Sequence, residues 1–215
     1  IFNNEIYGLT KGQYSPTTKF GQITKTSPFG TIDYPFIPGE LVMGAQGTFY
    51  ARSLDCVPTL TTDVMERAAK HDGCSVVEVL QNCMIFNDKT HAAITDRAVR
   101  DDRTIVLEHG KPMIFGKEKN KGIRFNGRCL EAVTIGENGI TIDDIMVHDE
   151  TIEDTGIHMM LARMHGDLPV ALGVIRNVAK TSYTQLYEDQ MDECKANCKY
   201  KCVDDLLNSG DTWEV

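Results

Sequence analysis

The sequence predicts an α/β fold with a mostly parallel sheet, and three observations carry that prediction. Strand-like and helix-like segments alternate between Gly39 and Leu80. The helical segments are short, about ten residues each, which suits crossovers between parallel strands. A short apolar start empties into a loop dense in Gly, Ser, Thr and Pro from Gly8 to Pro38, the kind of long loop that usually carries function. The chain has 215 residues, 41% apolar and 25% charged, enough for a buried core in one large or two small domains.

A strand is expected at the start, then the loop, then a short helix around Leu41 to Gln46 and a strand over 48–52. A helix follows from about Thr61 to Lys70, with Val64 and Met65 answered a turn later by Ala68 and Ala69, and Gly73 past its end. Ser75 to Leu80 reads as the next strand. Beyond Cys83 the pattern changes. Asp88 to Arg103 is a charged connection, helical or irregular, and short extended runs follow at 105–107, 113–115, 123–125 and 132–135, separated by Gly110, Gly116, Gly122 and Gly127. The apolar run Ile145-Met146-Val147 leads into a helix across Gly156 to His165. This divides the chain at 1–87, 88–187 and an acidic tail, 188–215, a C-terminal extension with eight acids against three lysines.

Composition excludes several classes. A net charge of −9 argues against general nucleic-acid binding, which needs surplus Lys and Arg. No apolar run approaches the length of a membrane span. Seven cysteines, with no CxxC pair, suit free thiols in a reducing cytoplasm better than a disulfide framework.

The chemistry is concentrated in Asn3-Asn4-Glu5-Ile6-Tyr7-Gly8-Leu9-Thr10-Lys11-Gly12-Gln13-Tyr14-Ser15-Pro16-Thr17-Thr18. A strand end opening into such a loop is where open α/β sheets bind ligands. The Asn4 amide oxygen and the Ile6 carbonyl are oxygen donors of the type that Mg²⁺ takes. Thr10, Thr17, Thr18 and the glycine amides are able to face a diphosphate. An ordinary solvent-facing turn has the same composition, so spacing alone leaves both readings open.

The run NNEIYGLTKGQYSPTT resembles the signature of the thiamine-diphosphate-binding β subunit of 2-oxoacid:ferredoxin oxidoreductases. Two further segments agree in order: Gly73 to Cys83 resembles that family's strand into a cluster cysteine, and Val147-His148-Asp149-Glu150 with Leu168 to Arg176 resembles its C-terminal part. The likeness spans about residues 1–187.

The resemblance implies a thiamine-diphosphate-binding fold, and Mg²⁺ held by Asn4 and the Ile6 carbonyl, with an acidic ligand from elsewhere. It implies a cofactor lined by Ile6, Tyr7, Gly8, Leu9 and Thr10, and Cys83 as one ligand of a 4Fe-4S cluster. The implied partners are an α subunit in an αβ or (αβ)2 assembly, ferredoxin, a 2-oxoacid and coenzyme A as co-substrate. The YGLTKGQ form resembles enzymes acting on 2-oxoglutarate, whereas pyruvate-type relatives tend to carry Asn where Leu9 stands. Leu9 and Lys11 are therefore the expected catalytic-end residues, with Lys11 pairing a distal carboxylate or a coenzyme A phosphate. The alternatives are another 2-oxoacid, pyruvate included, or a thiamine-fold assembly subunit without catalysis. The family's acidic metal ligand and other cluster cysteines lie upstream of this motif, so the chain, opening on Ile1 without Met, is expected to be part of a longer subunit.

Three other features carry two readings each. Cys194, Cys198 and Cys202 recur every four residues, which on one helix leaves the thiols near one face, as buried core thiols or as metal ligands. Lys111, Lys117, Lys119, Lys121, Arg124 and Arg128 form a basic cluster, either a solvated hairpin face or a docking surface for an acidic protein. His148 beside Asp149 and Glu150 reads as a turn or as an acid/base or metal-binding group.

Overall fold

Two prolines decide where the first helices begin. The computed structural model describes residues 1–211 and Trp213. In it, strand β1 (Phe2–Asn3) precedes the long loop, and then come α1 (Pro38–Gly44), β2 (Phe49–Leu54), α2 (Pro58–Lys70) and β3 (Ser75–Leu80). Both helices carry proline in the first turn, where its missing N–H has no intrahelical partner to lose and its fixed φ is already helical. They therefore start at Pro38 and Pro58, ahead of the Leu41 and Thr61 starts expected.

The main sheet has the order β1-β3-β2-β8-β4, with β4 at Thr104–Leu107 and β8 at Val170–Asn177. The pairs β1/β3, β2/β3 and β4/β8 are parallel and β2/β8 is antiparallel, so the mostly parallel sheet is present with one reversal at its centre. All six β2 residues are buried. Alternate residues face opposite layers: Phe49, Ala51, Val77, Val79 and Val174 pack on Val64 of α2. Tyr50 packs instead with Met43 of α1 and with Leu161 and Ala162 of α5 (Gly156–Ala162). Gly173 has φ +89°, and a Cβ there would lie 2.9 Å from the Leu107 carbonyl oxygen, so β4 approaches β8 only because that position is glycine.

Asp88–Arg103 forms two single helical turns, α3 (Ala92–Thr95) and α4 (Arg100–Arg103). The later extended runs become an antiparallel three-stranded sheet, β5 (Ile114–Phe115), β6 (Lys121–Phe125) and β7 (Leu130–Thr134). Met146 bridges into it, donating its N–H to Ile123 and accepting from the Met113 N–H. The division expected at residue 88 is not a boundary of the fold, because β2 on one side of it pairs with β8 on the other. The tail separates at Lys180, giving compact units Ile1–Ala179 and Lys180–Val215.

The tail holds α6 (Tyr183–Ala196) and α7 (Val203–Leu207). The helix that would align the three thiols stops first: Cys194 is in α6, Cys198 follows its C-cap Asn197, and Cys202 is the N-cap of α7. All three are exposed, which overturns their reading as buried core thiols. No helix among the described residues is long and apolar enough to cross a membrane.

His148 is buried and donates through Nε2 to the Val174 carbonyl at 2.9 Å. His158 is buried too; its Nε2 donates to the Asp149 carbonyl and its Nδ1 accepts from the Arg176 guanidinium, both at 2.9 Å. His148 is thus neither a turn residue nor an acid/base group in an open site. Burial pushes both imidazoles below their ordinary value of 6.5, so the folded chain keeps them neutral. Their contribution is complete above that value and is lost as pH falls below it, because the unfolded chain then binds protons that the folded chain does not. The urea midpoint is expected to fall between about pH 7.5 and about pH 5.5, and to fall less in His148→Gln.

Candidate cofactor site at the strand ends

Strands β1 and β3 run parallel and end together, and the two loops that leave them interlock. Asn3 is the knot. Its Nδ2 donates to Glu78 Oε1 at 2.7 Å, and its Oδ1 accepts from Thr17 Oγ1 at 2.8 Å and from the Glu5 N–H at 3.3 Å. His91, in the loop after β3, donates to the Asn3 carbonyl. Asn87 in the same loop donates to the Asn4 carbonyl at 3.0 Å while accepting from Gln22. Each of these contacts ties the glycine-rich loop to the sheet or to the loop beyond β3.

Asn4 and Ile6 sit on this base. The Ile6 N–H reaches the Asn4 amide oxygen at 3.4 Å, a long bond, and the Ile6 carbonyl accepts no hydrogen bond among the described residues. Two oxygens with spare acceptor capacity two residues apart suit a hard divalent cation. Glu5 does not add a free carboxylate, since it accepts from Thr90 Oγ1 at 2.7 Å and pairs with Lys19 at 3.3 Å.

The tip that follows is closed by the backbone. The Tyr7 N–H donates to the Gln13 carbonyl and the Gly12 N–H to the Tyr7 carbonyl, with Lys11 at φ +64° and Gly12 at φ +104°. Gly8 would leave open space around a Cβ. Leu9 is 97% exposed, Tyr7 and Thr10 are exposed, and Lys11 has no ion-pair partner among the described residues. The side chain of Ile6, in contrast, is buried. Thr17 and Thr18 differ from the diphosphate-facing role: Thr18 is buried, its hydroxyl donates to the Glu5 carbonyl at 2.6 Å and accepts from the Ser15 N–H, and that of Thr17 is spent on Asn3.

A cavity of about 560 Å³ opens beside the base of the loop, walled by Asn3, Thr17, Arg52, Glu78, His91 and Met164 among others. Its floor is a buried ion pair. Arg52 Nε donates to Glu78 Oε2 at 2.7 Å, the Tyr50 hydroxyl donates to the same oxygen, and Arg52 also reaches the Ala162 carbonyl at 3.1 Å. Burial alone would push the Glu78 carboxyl up; the Arg52 charge and the hydrogen bonds from Tyr50, Arg52 and Asn3 outweigh it and hold the group below its ordinary value. Burial drives Tyr50 strongly upward, so it stays a donor. Tyr7, Gly8, Leu9, Thr10 and Lys11 do not line this cavity. Arg52 and Glu78 were readable in principle, as single charges inside the apolar strands FYARSL and SVVEVL, where an unpaired charge is not tolerated.

Cys83 follows β3, half-buried, its carbonyl accepting from the Asn87 N–H at 2.9 Å. Among the described residues no three His, Cys, Asp or Glu side chains gather as a metal site, and Cys83 stands as a single thiol. In the basic cluster, Lys111, Lys121 and Arg124 are paired with Glu108, Asp102 and Glu131, which reduces the free charge of that surface.

Residues 1–79 match the family described as thiamine pyrophosphate enzyme, C-terminal TPP binding domain. Over 219 aligned residues the chain is 36% identical to 2-oxoglutarate oxidoreductase subunit KorB of Mycobacterium tuberculosis, covering 100% of this chain and 58% of that protein. Throughout its length the chain is similar to this 2-oxoacid oxidoreductase β subunit. A shorter match, 40% identical over 83 residues, reaches the 2-oxoglutarate synthase subunit KorB of Archaeoglobus fulgidus, covering 39% of this chain and 31% of that protein. A solved 2-oxoglutarate:ferredoxin oxidoreductase from Magnetococcus marinus, with 2-oxoglutarate, coenzyme A and succinyl-CoA bound, shares the fold. Its TM-score is 0.63 at 19% identity, over 97% of this chain and 56% of that one. The chain thus spans little more than half the length of the β-family relative it matches throughout.

The buried pair gives a direct test of the base of this loop. Glu78→Ala leaves Arg52 charged and unpaired and is expected to destabilise the chain by about 3–5 kcal/mol. Tyr50→Phe removes two hydrogen bonds, the one its hydroxyl donates to Glu78 and the one it accepts from Arg52 at 3.0 Å, and should cost about 2 kcal/mol. Urea unfolding of the two variants measures the difference.

Proposed function

We propose that this chain is the part of a 2-oxoacid:ferredoxin oxidoreductase β subunit that holds magnesium and thiamine diphosphate, in an enzyme that acts on 2-oxoglutarate. The observation that carries the reading is the pair of under-used oxygens at Asn4 and Ile6, on a hydrogen-bonded base inside the stretch that matches the thiamine pyrophosphate domain. Asn4 Oδ1 and the Ile6 carbonyl would each give Mg²⁺ one oxygen, the remaining ligands coming from the diphosphate, water and an acidic group outside these residues. Tyr7, Gly8, Leu9 and Thr10 would line the cofactor. Thiamine diphosphate supplies, when bound, a nucleophilic carbon and an electron sink for cleavage next to a 2-keto group.

The chain's own residues then place and select. Leu9 offers an apolar, fully exposed contact at the tip, and Lys11, three residues beyond Gly8 on a turn closed by the Lys11 N–H to Gly8 carbonyl bond, an ammonium with no ion-pair partner among the described residues. Lys11 would meet the distal carboxylate of 2-oxoglutarate or a phosphate of coenzyme A as a point charge. Cys83 would contribute one thiolate to a 4Fe-4S cluster whose other ligands lie outside this chain, and the electrons would leave for ferredoxin. An α subunit would complete the site and the coenzyme A surface, in an αβ or (αβ)2 enzyme of the cytoplasm. The same residues serve oxidative decarboxylation and its reverse.

In the intact complex, ferredoxin reduction is expected to be faster with 2-oxoglutarate than with pyruvate; a clear preference for pyruvate overturns the substrate assignment. Asn4→Ala should weaken thiamine diphosphate binding at least about tenfold, through loss of one metal ligand, read by calorimetric titration in Mg²⁺. Cys83→Ala should lower the iron content and the cluster absorbance, and an unchanged iron content refutes its role as a ligand.

A further inference from the structure

The proposed function leaves Asn3 without a role, although it is buried and carries more of the site's hydrogen bonds than the metal-facing residues do. Its amide has two different ends, and the structure uses both. The NH2 end is directed by the Glu78 carboxylate at 2.7 Å, an acceptor that cannot donate. The oxygen is thereby turned outward, where it accepts from the Thr17 hydroxyl at 2.8 Å and the Glu5 N–H at 3.3 Å. Thr17 lies on the returning Ser15-Pro16-Thr17-Thr18 arm, whose next hydroxyl, that of Thr18, donates to the Glu5 carbonyl. The peptide unit before Glu5 is therefore held by Asn3, with Asn87 on its carbonyl, and the one after it by Thr18 of the arm, and Glu5 itself has φ +53°, a backbone state that a non-glycine residue keeps only when its surroundings impose it.

From this geometry we infer that Asn3 is the positioning residue of the cofactor loop. The relay Glu78–Asn3–Thr17 fixes the left-handed turn at Glu5 and so sets the spacing of the Asn4 and Ile6 oxygens before any ligand arrives. The inference rests on the proposed function for what those oxygens bind, but not for the turn itself. Asn3 touches no substrate; it acts through the backbone of residues 4–6. Reversing the amide would present NH2 to Thr17 and to the Glu5 N–H and oxygen to the Glu78 carboxylate, so one orientation alone satisfies all three neighbours.

The test uses Asn3→Ala, Thr17→Val and Thr17→Ser in the intact complex, with two readouts. Hydrogen–deuterium exchange of the peptide covering residues 4–13, without cofactor, should rise about three- to tenfold in Asn3→Ala and Thr17→Val and return to within about twofold of the native chain in Thr17→Ser. The dissociation constant for thiamine diphosphate in Mg²⁺ should rise about tenfold in the first two and recover in the third. If Asn3→Ala does not fold, the two Thr17 variants carry the test, since Thr17 is only half-buried. Native exchange in Thr17→Val, or failure of Thr17→Ser to restore it, overturns the inference. A native complex that does not bind thiamine diphosphate overturns the proposed function instead, and the exchange data then decide the relay alone.

Discussion

A carboxylate in the middle of a parallel sheet must be compensated on the spot, and Glu78 is compensated by three side chains from the two strands that flank β3. Arg52 reaches it from β2 beside it, Tyr50 from two residues earlier on β2, and Asn3 from β1 on the other side. Desolvation of such a pair nearly cancels its attraction, so the pair adds little net stability, while the loss of one partner is severe. What the arrangement does contribute is direction. A charge that has to be met by specific donors fixes the side-by-side positions of β1, β3 and β2 more narrowly than apolar contact does. The rest of the site inherits that precision, because β1 contributes only two residues and its last one is Asn3.

The alternation from α1 to β3 was legible because each element announces itself locally, by period and by Gly73 after the helix. The starts of α1 and α2 lie at Pro38 and Pro58, because proline marks a first turn more strongly than the Leu41 and Thr61 that follow. β8 lies far along the chain from β2 and β4, and its insertion between them, antiparallel to β2 and parallel to β4, is a long-range choice that no local pattern encodes. Its one local trace is Gly173, which reads as a break in an apolar run and is in fact the condition for contact with Leu107. The three-thiol stripe failed for the opposite reason: a period of four implies a shared face only while the helix continues, and α6 ends at Ala196.

At the site, residue types were legible and their uses were not. Thr17 and Thr18 suggested ligand donors by composition, yet a loop this long must first satisfy its own backbone, and their hydroxyls do so at Asn3, Ser15 and Glu5. The charges of β2 and β3 carried the stronger signal, because Arg52 and Glu78 interrupt otherwise apolar strands and a buried charge requires a partner. Asn4 and Ile6 were marked by resemblance, and their spare acceptor capacity is a separate, physical sign pointing the same way.

The loop is divided into a base and a tip that answer to different constraints. The base, from Asn3 to Ile6 with Thr17, Thr18 and Asn87, is bound by side-chain hydrogen bonds, so replacing those residues changes its shape. The tip, from Tyr7 to Gln13, is closed mainly by backbone bonds, with one long side-chain bond from the Thr10 hydroxyl to the Tyr7 carbonyl at 3.4 Å and with Gly12 turned against Phe86, 3.2 Å from where a Cβ would sit. Leu9 and Lys11 therefore contribute nothing to the frame that carries them. A change of residue at either position alters what the tip presents while Asn4 and Ile6 stay in place, and in the proposed function this separation would let the substrate-facing side chains vary without disturbing the metal-facing oxygens.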